Sequence, residues 1–280
     1  MINGLAIWHY TKRTPLENVE FFSDNGFRSV SVNGPIMNEI CSNETLLSEL
    51  VSVIKTKNLV LNVHYSLPAT HDSDAVSEFK ETIDRYAICQ KKYGIISVLS
   101  FDVPEAIRDD VLPYICYVLQ YEEFSKVAVE DFGLTDSEKA QIETLKSNKR
   151  FGYLVDIGHM YIRLCGKTTK DLTMLRNHPE ECQETDSPEY NDFMRAFSAK
   201  EFPIFEIHLS DNDGESDSHY FFGEGNLDIK MIADVLHDIN YDGLVTIESR
   251  PRFSWEEEYS SPETDEEILE TLKEWERKTI

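Results

Sequence analysis

Paired cysteines are missing from this 280-residue chain. Its five cysteines, Cys41, Cys89, Cys116, Cys165 and Cys182, are scattered, with no CxxC among them. That distribution argues against a disulfide framework and against a zinc knuckle, and it points to a reducing compartment, the cytoplasm. A basic leader is also missing, because the opening MINGLAIWHY has no Lys or Arg and its apolar stretch breaks at Trp8 and His9. No run approaches the roughly 18 apolar residues that a spanning helix needs, so no membrane association is expected. Basic residues are scarce, 27 against 52 acidic ones, for a net charge of −25. Such a surface repels phosphate backbones unless a basic groove is cut into it, so nucleic acid is not expected as a partner. Residues 201–280 alone hold 22 acidic and 6 basic side chains, read here as a solvated acidic face.

What the chain does have is a repeated alternation. Hydrophobic residues make up 41% of it, enough for one large core, and one domain over residues 1–280 is expected. Eight short apolar runs read as strands: 4–8, 27–32, 59–64, 95–101, 126–130, 151–156, 203–209 and 243–248. Between them lie amphipathic stretches such as ETLLSELVSVIKTK (44–57), SDAVSEFKETIDRYAICQKKYG (73–94) and LDIKMIADVLHDINYDG (227–243). The last is read as closed by its glycine. Parallel strands need helical crossovers and read as near-continuous apolar runs, so eight such units predict an α/β fold, a single (β/α)8 TIM barrel. An open doubly wound sheet would carry a Gly-rich first turn, and WHYTKRTP after the first run has none. The longest connection, 157–202, is polar and Pro-punctuated, the length of a lid or insertion, with a short helix expected from about Ser187. The acidic tail reads as the eighth helix, capped by Ser261 with Pro262 at its first position.

In such a barrel, chemistry gathers at the C-terminal ends of the strands. Here the runs end in His64, Glu130, Asp156 and Glu248, and His208 lies near the end of the seventh. Singly, each has an ordinary explanation as a helix cap or a hydrogen-bonded core residue. Five at one topological position converge on one axis, and their carboxylates would repel one another without a cation. Glu130, Asp156, His208 and Glu248 make three carboxylates and one imidazole, a set suited to Mn, Mg or Co and tolerant of Zn. Just beyond the seventh run, IHLSDNDGESDSHYFFGEGNLD (207–228) adds Asp217 and His219 on a glycine-flanked loop.

The blocks LNVHYSLP, VAVEDFG, YLVDIGHMYI, IHLSDNDGESDSHYFFGEGNLD and YDGLVTIESRP resemble the xylose isomerase-like TIM barrel superfamily of sugar isomerases, epimerases and the endonuclease IV family. The resemblance spans about residues 1–250, and its DIGH and HLSDNDG blocks are the most specific. It implies one metal held by Glu130, Asp156, His208 and Glu248, with His64, His159, Asp217 and His219 around the same pocket. It further implies that Glu130 and Glu248 act as the acid/base pair on opposite faces of a sugar, while His159 holds a substrate hydroxyl. The endonuclease IV pattern has a histidine at the end of its fourth strand. Ser100 is read here at that position, which speaks against that family's first zinc site.

Three functions are weighed. The favoured one is a sugar or sugar phosphate isomerase or epimerase, passing a proton through a metal-stabilised enediolate on a small carbohydrate. The second is an endonuclease IV-like phosphodiesterase on abasic DNA, for which His159, Asp217 and His219 would hold a further metal. The same trio could instead position substrate hydroxyls, and one tightly bound metal is the expectation. The third is a barrel that binds metal without turnover. Arg250 and Arg252 read equally as holders of a substrate phosphate or as structural salt bridges. Trp8, Phe221, Phe222 and Trp255 could wall a sugar ring, although core packing is their ordinary role, as a structural one is for His9. Gly223 and Gly225 are read as turning the loop so that Asp217 and His219 aim inward. Self-association into a homo-oligomer is left open.

Overall fold

The computed structural model describes residues 1–7, 13–104, 107, 110–130, 136–166, 188–250 and 262–279. Eight strands close into a parallel barrel in chain order: β1 (Ile2–Ile7), β2 (Ser29–Asn33), β3 (Val60–Ser66), β4 (Ile96–Asp102), β5 (Val127–Glu130), β6 (Phe151–Asp156), β7 (Ile204–Leu209) and β8 (Leu244–Ile247). The ring is sealed by β1 pairing with β8, with Ile2 opposite Leu244 and Leu5 opposite Ile247. Each expected run overlaps one of these strands, and the (β/α)8 architecture is the one observed.

The described helices are α1 (Pro15–Asp24), α2 (Gly34–Ser42), α3 (Glu44–Lys57), α4 (Ser73–Tyr93), α5 (Leu112–Leu119), α6 (Asp136–Glu143), α7 (Ile157–Leu164), α8 (Tyr190–Ser198), α9 (Ile229–Asp238) and α10 (Pro262–Thr279). Their starts are written in side chains that accept the otherwise orphaned first N–H groups. Thr14 and Glu17 form a reciprocal capping box on α1, and Asn33, Asn43, Asp72 and Asp228 cap α2, α3, α4 and α9. The expected 44–57 helix matches α3 residue for residue. The 227–243 helix is shorter than expected, because α9 stops at Asp238 and the turn is made by Asn240, at φ 55°, rather than by Gly243. Helix α2 follows β2 directly and has no counterpart in the periodicity reading.

Along each strand, alternate residues face inward and outward. Outward-facing Val30, Val32, Leu61, Val63, Val129, Val155, Ile207 and Ile247 belong to one apolar layer that also holds Phe22, Ile36, Phe79, Tyr86, Phe193 and Trp275 from the helices. Inward, Val98, Ala128, Leu154 and Leu244 form a separate apolar plug contributed by four strands. Set among these are buried polar side chains, Asn62 opposite Val98 and Glu206 opposite both Leu154 and Leu244, with Ser29 and Thr246 buried as well. Thus the barrel is filled rather than hollow, and its interior changes from apolar to charged toward the C-terminal strand ends. Among the described residues, no helix is long and apolar enough to cross a membrane.

Candidate functional site

Period-two alternation builds the site. Two residues beyond the plug, the same strands present charged groups to the same interior: Leu154 leads to Asp156 and Ala128 to Glu130, while Leu244 leads through Thr246 to Glu248. Glu130, Asp156, His208 and Glu248 are all nearly inaccessible, at 6, 3, 1 and 5% exposure. The register places Asp156 beside His208, since these residues pair directly between β6 and β7.

Imidazoles and carboxylates alternate around the pocket. The Oδ1 of Asp102 lies 3.0 Å from His64 Nε2, which is 3.8 Å from Glu130 Oε2. On the other side of Glu130, Oε1 pairs with His159 Nδ1, and His159 Nε2 lies 3.1 Å from Asp217 Oδ1. Asp217 Oδ1 is in turn 2.9 Å from His219 Nε2. His219 Nδ1 approaches Glu248 Oε2 at 3.7 Å and its backbone oxygen at 3.2 Å. Finally, Glu248 Oε1 lies 3.0 Å from His208 Nδ1. At the centre, Asp156 Oδ1 accepts the His159 backbone N–H at 2.7 Å, so one carboxylate both caps α7 and joins the site.

Four overlapping groups could hold a metal ion: His64, Asp102 and Glu130; Glu130, Asp156 and His159; Asp156, His208 and Glu248; and His159, Asp217 and His219. Asp156 is common to the second and third, so the four expected ligands Glu130, Asp156, His208 and Glu248 line one continuous pocket. Buried carboxylates with imidazole neighbours fit a divalent cation, because an oxygen-rich set with one or two ring nitrogens suits Mn, Mg, Co or Zn. Without a cation, the same crowding distorts proton affinities. Burial drives the Glu130 carboxyl up to about 7, with the Asp102 charge adding to this and His159 opposing it. Burial opposes the charge on His64, but Asp102 outweighs it and raises the ring to about 9. Burial pushes Glu248 upward too, yet His208 overrides this and holds it at about 2.

The loop after β7 is pinned to the strand end. Asp211 and Tyr220 exchange two backbone hydrogen bonds, at 3.0 and 2.9 Å. The Asp211 carboxylate accepts N–H groups from Gly223 at 2.8 Å, Gly225 at 3.0 Å and Leu227 at 3.0 Å. A β-carbon on Gly225 would sit 2.4 Å from Asp211 Oδ1 and 2.5 Å from the Asn212 carbonyl oxygen, so only glycine fits there. The two loop glycines therefore lock the loop onto Asp211 instead of aiming Asp217 and His219 directly. His219 itself adopts φ 50°, a left-handed conformation uncommon for a residue with a β-carbon.

The family model for xylose isomerase-like TIM barrels matches residues 19–275. The chain belongs to that family. Among solved structures, this xylose isomerase-like barrel is similar to a D-tagatose 3-epimerase-like protein, at TM-score 0.66 and 16% identity, with 100% of both chains covered. It is also similar to a 3-keto-D-glucoside 4-epimerase from E. coli, at TM-score 0.69 and 15% identity, with 99% of each chain covered. Among curated sequences, an uncharacterized protein of Methanocaldococcus jannaschii is 38% identical over 47 residues, which are 17% of this chain and 16% of that protein.

The structure brings together His64, Glu130, Asp156, His159, His208, Asp217, His219 and Glu248. Arg250 is buried beside them, its backbone N–H donating to the His219 carbonyl oxygen at 2.8 Å. Phe221 is buried in the outer apolar layer and Phe222 packs against that layer, the ordinary alternative for both. Trp8, His9, Ser187, Arg252, Trp255 and Ser261 lie outside the described residues, as does 167–187 of the long connection. The fourth strand runs to Asp102, one residue past the expected run, and Ser100 Oγ and Asp102 Oδ1 each lie 3.0 Å from a His64 ring nitrogen. Asp102, which joins His64 and Glu130 in one of the groups that could hold a metal, was missed by ending the run at Phe101. Glu206 was missed as well. Its signal was an acid two residues before His208 inside an apolar run, hence on the same inward face.

Proposed function

We propose that this barrel is a divalent-metal-dependent isomerase or epimerase of a small ketose sugar or sugar phosphate, with the cytoplasm as its compartment. The observation that carries the reading is geometric: Glu130 and Glu248, at the ends of two barrel strands, are both buried in the pocket and are joined through Asp156, which groups with Glu130 and His159 on one side and with His208 and Glu248 on the other. Two carboxylates at separate corners of one site can serve as base and acid. One of the pair takes the proton from the carbon between the substrate's carbonyl and hydroxyl, and the other delivers a proton, which epimerisation or isomerisation requires. Glu130, Asp156, His208 and Glu248 would hold a divalent metal, which when bound would polarise the substrate carbonyl. His159, oriented between Glu130 and Asp217, holds a substrate hydroxyl, with His64, Asp217 and His219 completing the polar wall. Arg250 gives a phosphate or carboxylate substituent a cationic partner. The similarity to a D-tagatose 3-epimerase-like protein and to a 3-keto-D-glucoside 4-epimerase supports this substrate class.

A second reading, phosphodiester hydrolysis at abasic DNA, is favoured by two further groups that could each hold a metal: His159, Asp217 and His219, and His64, Asp102 and Glu130. The net charge of −25 weighs against it, since duplex affinity needs cations to displace counterions. One experiment separates the readings. Metal-loaded protein is incubated in D2O with a panel of ketoses and ketose phosphates, and in parallel with an abasic duplex. Deuterium at the carbon next to the carbonyl is the expected result, with the duplex intact. Nicking without exchange would overturn the proposal in favour of hydrolysis, and neither activity would leave a metal-binding barrel without turnover.

A further inference from the structure

We infer that Glu206 is a positioning residue that fixes the ring of His208, holding Nε2–H so that Nδ1 is the nitrogen offered to the metal. The inference rests on the metal reading above and on none of its chemistry. Residues 206 and 208 are two apart on β7, so both side chains enter the barrel on the same face. Glu206 is wholly buried, at 0% exposure. Its Oε1 is fixed by two neighbouring strands, accepting from Asn62 Nδ2 at 2.9 Å and from Thr246 Oγ1 at 2.6 Å. That same oxygen lies 3.5 Å from His208 Nε2. Two buried polar atoms are left at this junction without a hydrogen bond, Glu206 Oε2 and His208 Nε2. They belong to neighbouring side chains on one face of β7 and complement each other as acceptor and donor.

A buried carboxylate costs several kcal/mol unless a cation or a polarised donor compensates it. Among the ion pairs of the described residues, the partner of Glu206 is His208. An imidazole can give a lone pair to a metal from one nitrogen only if the other carries the proton. The nitrogen turned toward Glu248, 3.0 Å from Oε1, is Nδ1, on the side where Asp156, His208 and Glu248 converge. A carboxylate at Nε2 therefore selects the tautomer, stops the ring from flipping and strengthens Nδ1 as a donor, and loss of such a partner typically weakens metal binding about 10–100-fold. The edge of the His64 ring packs against the His208 ring, centroids 5.0 Å apart at 77°, and limits the ring's remaining freedom.

The test is metal affinity, not turnover. Zinc dissociation constants are measured by chelator competition for wild type and Glu206→Gln, alongside the Tm of each metal-free protein. The expected result is a dissociation constant raised about tenfold or more in E206Q, with a metal-free Tm equal to or above that of wild type. A folded E206Q with unchanged zinc affinity overturns the inference, as does a lower Tm at unchanged affinity, the signature of a merely structural role. Should E206Q not fold, wild type alone decides. Histidine-¹⁵N NMR of the zinc-loaded protein is expected to show His208 bound through Nδ1 with a slowly exchanging Nε2 proton, and zinc on Nε2 overturns the inference. A wild type that retains no divalent metal overturns the metal reading and this one together, whereas zinc retained equally by E206Q fails this one alone.

Discussion

The two ends of the barrel interior differ in kind although the same strands build both. At one end Val98, Ala128, Leu154 and Leu244 close the barrel with hydrocarbon. At the other, one or two pleats further along those strands, stand Asp102, Glu130, Asp156 and Glu248. Set into the hydrocarbon is a single acid, Glu206, opposite Leu154 and Leu244, with Asn62 and Thr246 both donating to it. A step of two residues is thus the whole distance between a group that stabilises the fold by leaving water and a group that loses stability by doing so. The apolar end supplies a rigid base and the charged end spends stability on a preorganised site, so substitutions at the two ends should have opposite signatures.

The largest effect is expected at the charged end. Glu130→Gln or Glu248→Gln should lower solvent exchange into the substrate by about 10²–10⁴-fold, with the metal-free Tm unchanged or raised for Glu130, whose charge burial disfavours, and lowered for Glu248, whose ion pair with His208 is broken. Full exchange activity in either variant would break the acid/base assignment. At the apolar end, Leu154→Ala should cost about 2–5 kcal/mol of unfolding free energy, read from urea titration, while zinc affinity of the folded protein stays at the wild-type value. A loss of metal affinity in step with stability would show that the two ends are not separable.

Acidity sharpens the comparison further. His64 is raised to about 9 from an ordinary 6.5, so its contribution to metal-free stability is complete below about pH 6.5 and is lost as pH rises through 9. Glu130, raised to about 7 from 4.5, contributes in the same direction, keeping a proton that the unfolded chain has already released. Chelator-treated protein should therefore be less stable at pH 9 than at pH 6.5, by about 1–3 kcal/mol, and metal-loaded protein should show a flatter profile. Equal urea midpoints at the two pH values would contradict the ion-pair geometry. The smallest effect belongs to neither end: Asp72→Ala, which removes the cap of α4, should lower the urea midpoint slightly and leave exchange activity untouched.

Much of this contrast was legible in the sequence, and the reason is geometric. A buried parallel strand is an apolar run whose end is marked by the first charged residue, so Glu130, Asp156 and Glu248 announced themselves as strand ends. His159, Asp217 and His219 came from motif blocks and from their loop. The residues that escaped were those whose meaning lies across the barrel. Asp102 gains its role only when β3 and β4 align His64 beside it, and Glu206 only when Asn62, Thr246 and His208 close around it. Helix α2 escaped for a local reason, since its Gly34–Pro35 start reads as a turn until Asn33 is seen to accept the Ile36 N–H.

Asp211 has a consequence for timescale. Its carboxylate ties Gly223, Gly225 and Leu227 to the end of a barrel strand, and its backbone pairs with Tyr220. Those three amide protons should exchange with deuterated solvent at rates nearer those of β7 than of a surface loop, because opening them means breaking several hydrogen bonds to one buried acceptor at once. A segment held in this way moves with the barrel as one body on the microsecond-to-millisecond scale of substrate capture. Asp217 and His219, set between the paired Asp211 and Tyr220, therefore line the pocket as fixed walls.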